Sequence, residues 1–140
     1  MKTVLLWAGI FITLYAGLAA GSHFTRVSDV KKIVVAIDVS GSMSSHKNKL
    51  DSVLSFLKES QYNQYKIITN SPNLRLQEIQ DWGSFLNLEK VRQINMYAPL
   101  SLEPLVQSEV LKEADEIIFV TNAQDVSELK NIPKSRIIRP

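Results

Sequence analysis

The chain has 140 residues, 45% hydrophobic and 21% charged, which is ordinary usage for a folded domain and excludes wholesale disorder. Its formal net charge is only +2, and the basic and acidic residues are interspersed rather than gathered into a stripe, which argues against a nucleic-acid binder. With no cysteine, disulfides, thiolate metal sites and cysteine nucleophiles are all excluded, although a domain with a real core can live in any compartment without bridges.

From Thr3 to Ala20 the sequence TVLLWAGIFITLYAGLAA carries no charge. A membrane-spanning helix needs about 20 apolar residues, and about 17 suffices at the short end. Residues 1–21 are therefore expected to be a transmembrane signal-anchor, with Trp7 and Tyr15 as amphipathic aromatics of the kind found near headgroups. A cleavable signal peptide is the alternative: Lys2 gives a minimal basic start, and Gly17, Ala19, Ala20 and Gly21 are small enough for a cleavage site. The apolar run is long for that role. Arg26, Lys31 and Lys32 against Lys2 lean toward a cytoplasmic domain, whereas the signal-like form leans toward export. The expectation is a single-pass membrane protein whose domain lies outside the cytoplasm.

Residues 22–31 are polar, lack apolar periodicity and read as a linker. Lys32 to Pro140, about 109 residues, is enough for one core. Ile33 to Ile37 (IVVAI) is a continuous, mostly β-branched run, the pattern of a strand buried on both faces. It gives way at Asp38-Val39-Ser40-Gly41-Ser42 to a polar loop, after which Ser44 or Ser45 is suited to cap a helix. That helix shows Leu50, Val53, Leu54 and Leu57 at helical spacing, with Lys47 and Lys49 on a solvated face.

Tyr65 to Thr69 reads as a second strand and residues 70–73 as a turn. Leu74 to Ile79 alternates with period two, which predicts an antiparallel edge strand, and Asp81 to Gln93 predicts a helix weakened by Gly83. Tyr97 to Ser101 reads as a loop, and Leu102 to Glu113 as a helix that tolerates Pro104 in its first turn. Glu116 to Val120 (EIIFV) is another buried strand ending at Thr121-Asn122. A short helix over Ser127 to Asn131 and a short strand over Ser135 to Arg139 complete the chain. Strands alternating with helices predict an α/β fold with a mostly parallel sheet and one antiparallel edge strand, preceded by the transmembrane helix. Such sheets bind ligands outside the strand carboxyl ends at the topological switch point, which directs attention to the loops after Ile37 and Val120.

The first of these loops carries chemistry. Asp38, Ser40 and Ser42 place one carboxylate and two hydroxyls at alternate positions, an all-oxygen set suited to a hard cation such as Mg²⁺, with Mn²⁺ or Ca²⁺ in its place. Gly41 is expected to let the loop turn tightly enough for both serines to face one point. The bland reading is that Asp38 and the serines only cap the helix. Asp38 as the nucleophile of a phosphotransferase would want an acidic residue at position 40, where Ser stands. With no acid–base pair, no Ser-His-Asp set and no phosphate-binding glycine loop, no enzymatic activity is expected. His23 and His46 lack paired metal-ligand spacing and read as surface residues, and Trp82 reads as packing.

KIVVAIDVSGSM, from Lys32 to Met43, resembles the first strand and metal-ion-dependent adhesion loop of von Willebrand factor A domains, which have a Rossmann-like fold. The resemblance extends more loosely to Pro140. It implies that Asp38, Ser40 and Ser42 hold the metal, and that a further metal-binding Thr should fall near residues 98–101, where only the displaced Ser101 is available. It also implies an Asp after the later strand, where Thr121 is followed by the neutral Asn122, with Asp125 three residues on. The implied function is a membrane-anchored protein-binding module whose cation accepts an acidic side chain from a partner protein. The alternative is a degenerate structural or assembly domain that binds no metal.

Overall fold

The computed structural model describes residues 2–27, 29–57, 62–73, 77–96 and 101–140. The chain divides into two compact units, Met1–Val30 and Lys31–Pro140.

The first unit is a single helix, α1 (Lys2–Val27, 26 residues), about 39 Å long at about 1.5 Å per residue. By length and composition it is able to cross a membrane. It runs six residues into the segment expected to be linker. Residues 22–27 contain no Pro or Gly to stop a helix, and their hydroxyls bond back onto it: Ser22 Oγ to the Ala19 carbonyl, and Thr25 Oγ1 to those of Gly21 and Ser22. Arg26 places a cation in the last turn, where the helix dipole favours one.

The second unit is a five-stranded sheet in the order β3-β2-β1-β4-β5. Its strands are β1 (Lys32–Ile37), β2 (Gln64–Thr69), β3 (Glu78–Gly83), β4 (Glu116–Val120) and β5 (Ser135–Ile138). β1 pairs in parallel with β2 and β4, and β4 with β5, while β3 runs antiparallel at the edge with register shifts against β2. β1 is buried on both faces, as its unbroken apolar run requires. Val35 and Ile37 face α2 (Lys47–Ser55) and α3 (Leu88–Arg92), in one core with Leu50, Leu54 and Val91. Val34 and Ala36 face the other way, in a core with Leu105, Leu111, Phe119 and Leu129.

Three expected elements are displaced. The edge strand lies at Glu78–Gly83 rather than Leu74 to Ile79, of which residues 74–76 fall outside the described residues. The strand is held there by Lys66 of β2, whose ammonium meets Glu78 at 3.1 Å and Asp81 at 3.2 Å, and by Gln80, whose amide bonds the Phe85 carbonyl and accepts from the Asn87 amide. The helix expected over Asp81 to Gln93 is accordingly reduced to α3, capped by the Asn87 side chain. The helix expected over Leu102 to Glu113 is broken at Ser108, where extended backbone (ψ 123°) separates α4 (Glu103–Val106) from a 3₁₀ turn over Glu109–Glu113. A last short helix, α5 (Ser127–Lys130), precedes β5.

Burial works against the charged form of Lys66, but the hydrogen bonds and charges of Glu78 and Asp81 outweigh it and hold the ammonium above its ordinary range. Trp82 packs on the second core cluster, with Lys32 and Lys66 5.4 and 5.9 Å from its ring centre.

Candidate functional site at the strand carboxyl ends

The strand order reverses at β1: the chain first builds outward through β2 and β3, then crosses to place β4 on β1's other side. The resulting switch point lies at the carboxyl ends of β1 and β4. Asp38 leaves β1 there, and its backbone N–H still continues the ladder by donating to the Val120 carbonyl at 2.9 Å. Thr121 leaves β4 beside it, and Asn70 leaves β2 on the opposite flank. All three are almost completely buried.

The Asp38 carboxylate ties these ends together. Oδ1 accepts from the Ser40 backbone N–H at 2.9 Å and from Asn70 Nδ2 at 3.0 Å, while Oδ2 accepts from the Thr121 hydroxyl at 2.7 Å. Asn70 also accepts from the Val39 N–H at 2.8 Å and donates to the Ser101 carbonyl at 3.1 Å. A buried acidic group without a cationic neighbour needs such donors, since desolvation otherwise penalises it by several kcal/mol. An ionised carboxylate offers about four lone-pair sites. Three of these sites are taken by donors among the described residues, two on Oδ1 and one on Oδ2.

The two serines converge. Ser40 Oγ and Ser42 Oγ are 2.9 Å apart, with Ser40 buried and Ser42 exposed, so the pair straddles the surface. Two oxygens occupying neighbouring corners around Mg²⁺, each about 2.0–2.1 Å from it, stand about 2.9 Å from one another. The spacing thus serves as a hydrogen bond without an ion and as an octahedral edge with one. Gly41 is not what brings the serines together through a left-handed turn, because no glycine among the described residues has a positive φ. A 3₁₀ turn over Gly41–His46 does so, opened by the Met43 N–H bonding the Ser40 carbonyl at 3.0 Å. Ser44 and Ser45 lie inside this turn, and α2 starts at Lys47 without a side-chain cap.

The other candidates are placed as follows. Ser101 reaches the site only through its backbone carbonyl; its hydroxyl accepts from the Glu103 N–H and so serves the start of α4. Residues 98–100 lie outside the described residues. Thr121 is in the cluster, its hydroxyl donating to Asp38 and accepting from the Ala123 N–H at 3.0 Å. The Asn122 amide turns to His46, Nδ2 to Nε2 at 3.0 Å. His46 is therefore a half-buried neighbour of the site rather than a surface residue, and its Nδ1 has no hydrogen-bond partner among the described residues. Asp125 is exposed and closes a local turn just before α5 by accepting from the Ser127 N–H and hydroxyl, which hold its carboxyl below the usual range.

In the sequence Asn70 reads as the first residue of a plain turn, since it opens the stretch Asn-Ser-Pro-Asn. Its position immediately after an apolar strand in a parallel sheet was the available signal. The Asp38 carboxylate meets the Thr121 hydroxyl and the Ser40 backbone N–H, and the Ser40 and Ser42 hydroxyls meet one another in the same loop, with no cationic side chain among these contacts. That donor set suits a hard cation held at low charge. Among the described residues, no group of three or more His, Cys, Asp or Glu side chains forms a metal site, so any cation here depends on the hydroxyls. No family model, no curated protein and no solved structure matches the chain.

Proposed function

We propose that the chain is a membrane-anchored, von Willebrand factor A-like module that binds a partner protein through a divalent cation held by Ser40, Ser42 and Asp38. The observation that carries the reading is the 2.9 Å separation of the two serine oxygens in the loop by which Asp38 leaves β1, at the sheet's switch point. The five strands follow the doubly wound order 3-2-1-4-5, as a Rossmann-like sheet does. The nearby amides, Asn70 and Asn122, are neutral, so Asp38 supplies a single negative charge. A dication at that charge count is bound weakly and retains open positions, which favours an acidic side chain of a partner as the completing ligand. α1 would hold the module at a bilayer and raise its local concentration toward partners in the same membrane, which suits a weak single-site contact. We place the module outside the cytoplasm and assign it no catalytic role.

A second reading is favoured by one observation: the Asp38 carboxylate already has three protein donors and joins the ends of β1, β2 and β4. Under it the loop is a structural clip and no ion binds. Calorimetric titration of the full chain in detergent with Mg²⁺ and Mn²⁺ separates the two. The first reading expects saturable binding that is lost in Asp38→Ala; no heat at millimolar cation would leave the clip alone standing.

A further inference from the structure

We propose that the amino-terminal end of the sheet is a lipid-contacting surface through which Phe56 and Phe85 enter the headgroup region of a bilayer. The proposal rests on reading α1 as a membrane anchor.

Both phenylalanines are placed at that end by the topology. α2 returns the chain from the carboxyl end of β1 to the amino end of the parallel β2, and Phe56 follows its last residue. β3 runs the other way and ends with Gly83 opposite Tyr65, the second residue of β2; Phe85 stands two residues beyond. Their neighbours in sequence, Leu57 and Leu86, are buried in the first core cluster, so each Phe is held outward on a rigid base. Phe56 is 85% exposed and Phe85 59%.

Scattered exposed apolar side chains are ordinary. Here the distribution is one-sided: among the described residues of Lys31–Pro140, these are the only two large apolar side chains that are exposed. Among the described residues the carboxyl end, with Asp38, Ser42 and Thr121, has none. The occupant is a bilayer because this is the end at which β1 begins, and in the sequence only residues 28–31 separate β1 from an apolar helix long enough to cross one. Two phenyl rings on separate elements, free of any polar atom needing a partner, suit shallow insertion at the level of headgroups. The candidate cation site sits at the opposite end of the same strands, directed toward a partner rather than toward lipid.

The chain has no cysteine, so single-cysteine variants can be labelled without background. Phe56→Cys, Phe85→Cys and, at the opposite end, Asp125→Cys of the full chain would carry an environment-sensitive fluorophore in phosphatidylcholine vesicles, with and without nitroxide-bearing lipid. The expected result is a blue shift and at least about twofold quenching by nitroxide lipid at positions 56 and 85, and neither at 125. Equal, solvent-like signals at all three positions in chain that floats with the vesicles would overturn the proposal while leaving the anchor standing. Shielding at 56 and 85 that follows the protein-to-lipid ratio and ignores the nitroxide would overturn it in favour of a second copy. Chain that fails to float would refute the anchor, and the proposal with it.

Discussion

Asn70→Ala tests whether the strand ends are held by the side-chain cluster. The substitution strands the Val39 N–H, which is fully buried and bonded to Asn70 Oδ1 at 2.8 Å, and removes one of the two donors to Asp38 Oδ1. A stranded buried donor costs about 1–3 kcal/mol and a lost bond to a charged acceptor about 1.5–3 kcal/mol. The third bond, to the part-buried Ser101 carbonyl, is replaceable by water and adds little. Water entering the space vacated by the amide relieves part of the first two, which leaves a destabilisation of about 3 kcal/mol. For a domain of this size that lowers Tm by roughly 12 °C. The assay is urea and thermal unfolding of the full chain in detergent, followed by circular dichroism, with the exposed Asn48→Ala as a control expected within about 0.5 kcal/mol of the parent. A fall in midpoint at unchanged slope is expected. If Asn70→Ala unfolds within about 0.5 kcal/mol of the parent, the cluster does not hold the strand ends.

Three further outcomes are expected. Ser42→Ala, at an exposed position, leaves stability within about 0.5 kcal/mol but abolishes the Mg²⁺ titration heat; undiminished heat would remove the serine pair from the cation site. Asp81 is held below its ordinary 3.8 first by the Trp82 N–H and then by Lys66, so its folded value lies under its unfolded one. Its contribution is therefore present above that range and lost as pH falls through the folded value, and Asp81→Asn should flatten the acid limb of the urea midpoint measured downward from about pH 5. An acid limb of unchanged steepness would count against this. Lys66→Met exchanges a buried ion-paired ammonium for an apolar chain of similar length, and stability should stay within about 1 kcal/mol or rise, whereas Glu78→Gln with Asp81→Asn leaves the ammonium buried without its partners and should lower it. Equal losses in the two variants would show that Lys66 is needed for packing rather than tolerated through pairing.

Elements whose signal is local were legible in the sequence. The unbroken run Ile33 to Ile37 identified a strand buried on both faces, and EIIFV did the same for β4. The pairing of their ends followed from the rule for parallel sheets, and Thr121 indeed reaches Asp38. Sequence and structure differ where distant contacts override local pattern. Period-two alternation in Leu74 to Ile79 is real, but the ion pairs to Lys66 and the Gln80 bonds reward strand at Glu78–Gly83 instead. Helix periodicity over Leu102 to Glu113 ignores that Ser108 takes extended backbone. In the site, Asp38, Ser40 and Ser42 announce themselves by spacing, whereas Asn70 and His46 acquire their positions only through contacts 31 or more residues away in sequence.

Among the described residues the sheet ends sideways in β3 and β5, each paired with a strand on one side only, and such borders are where two copies of a chain could meet edge to edge. β3 is slipped in register against β2 and carries Glu78 and Asp81, while β5 is four residues long, projects Arg136 back onto Glu116 at 3.0 Å, and is entered through Lys134 in left-handed backbone at φ 60°. Neither border offers the long, flat, uncharged template that fibrils and runaway strand exchange require. Pairing of one copy with another along these two borders is therefore disfavoured by the strands themselves.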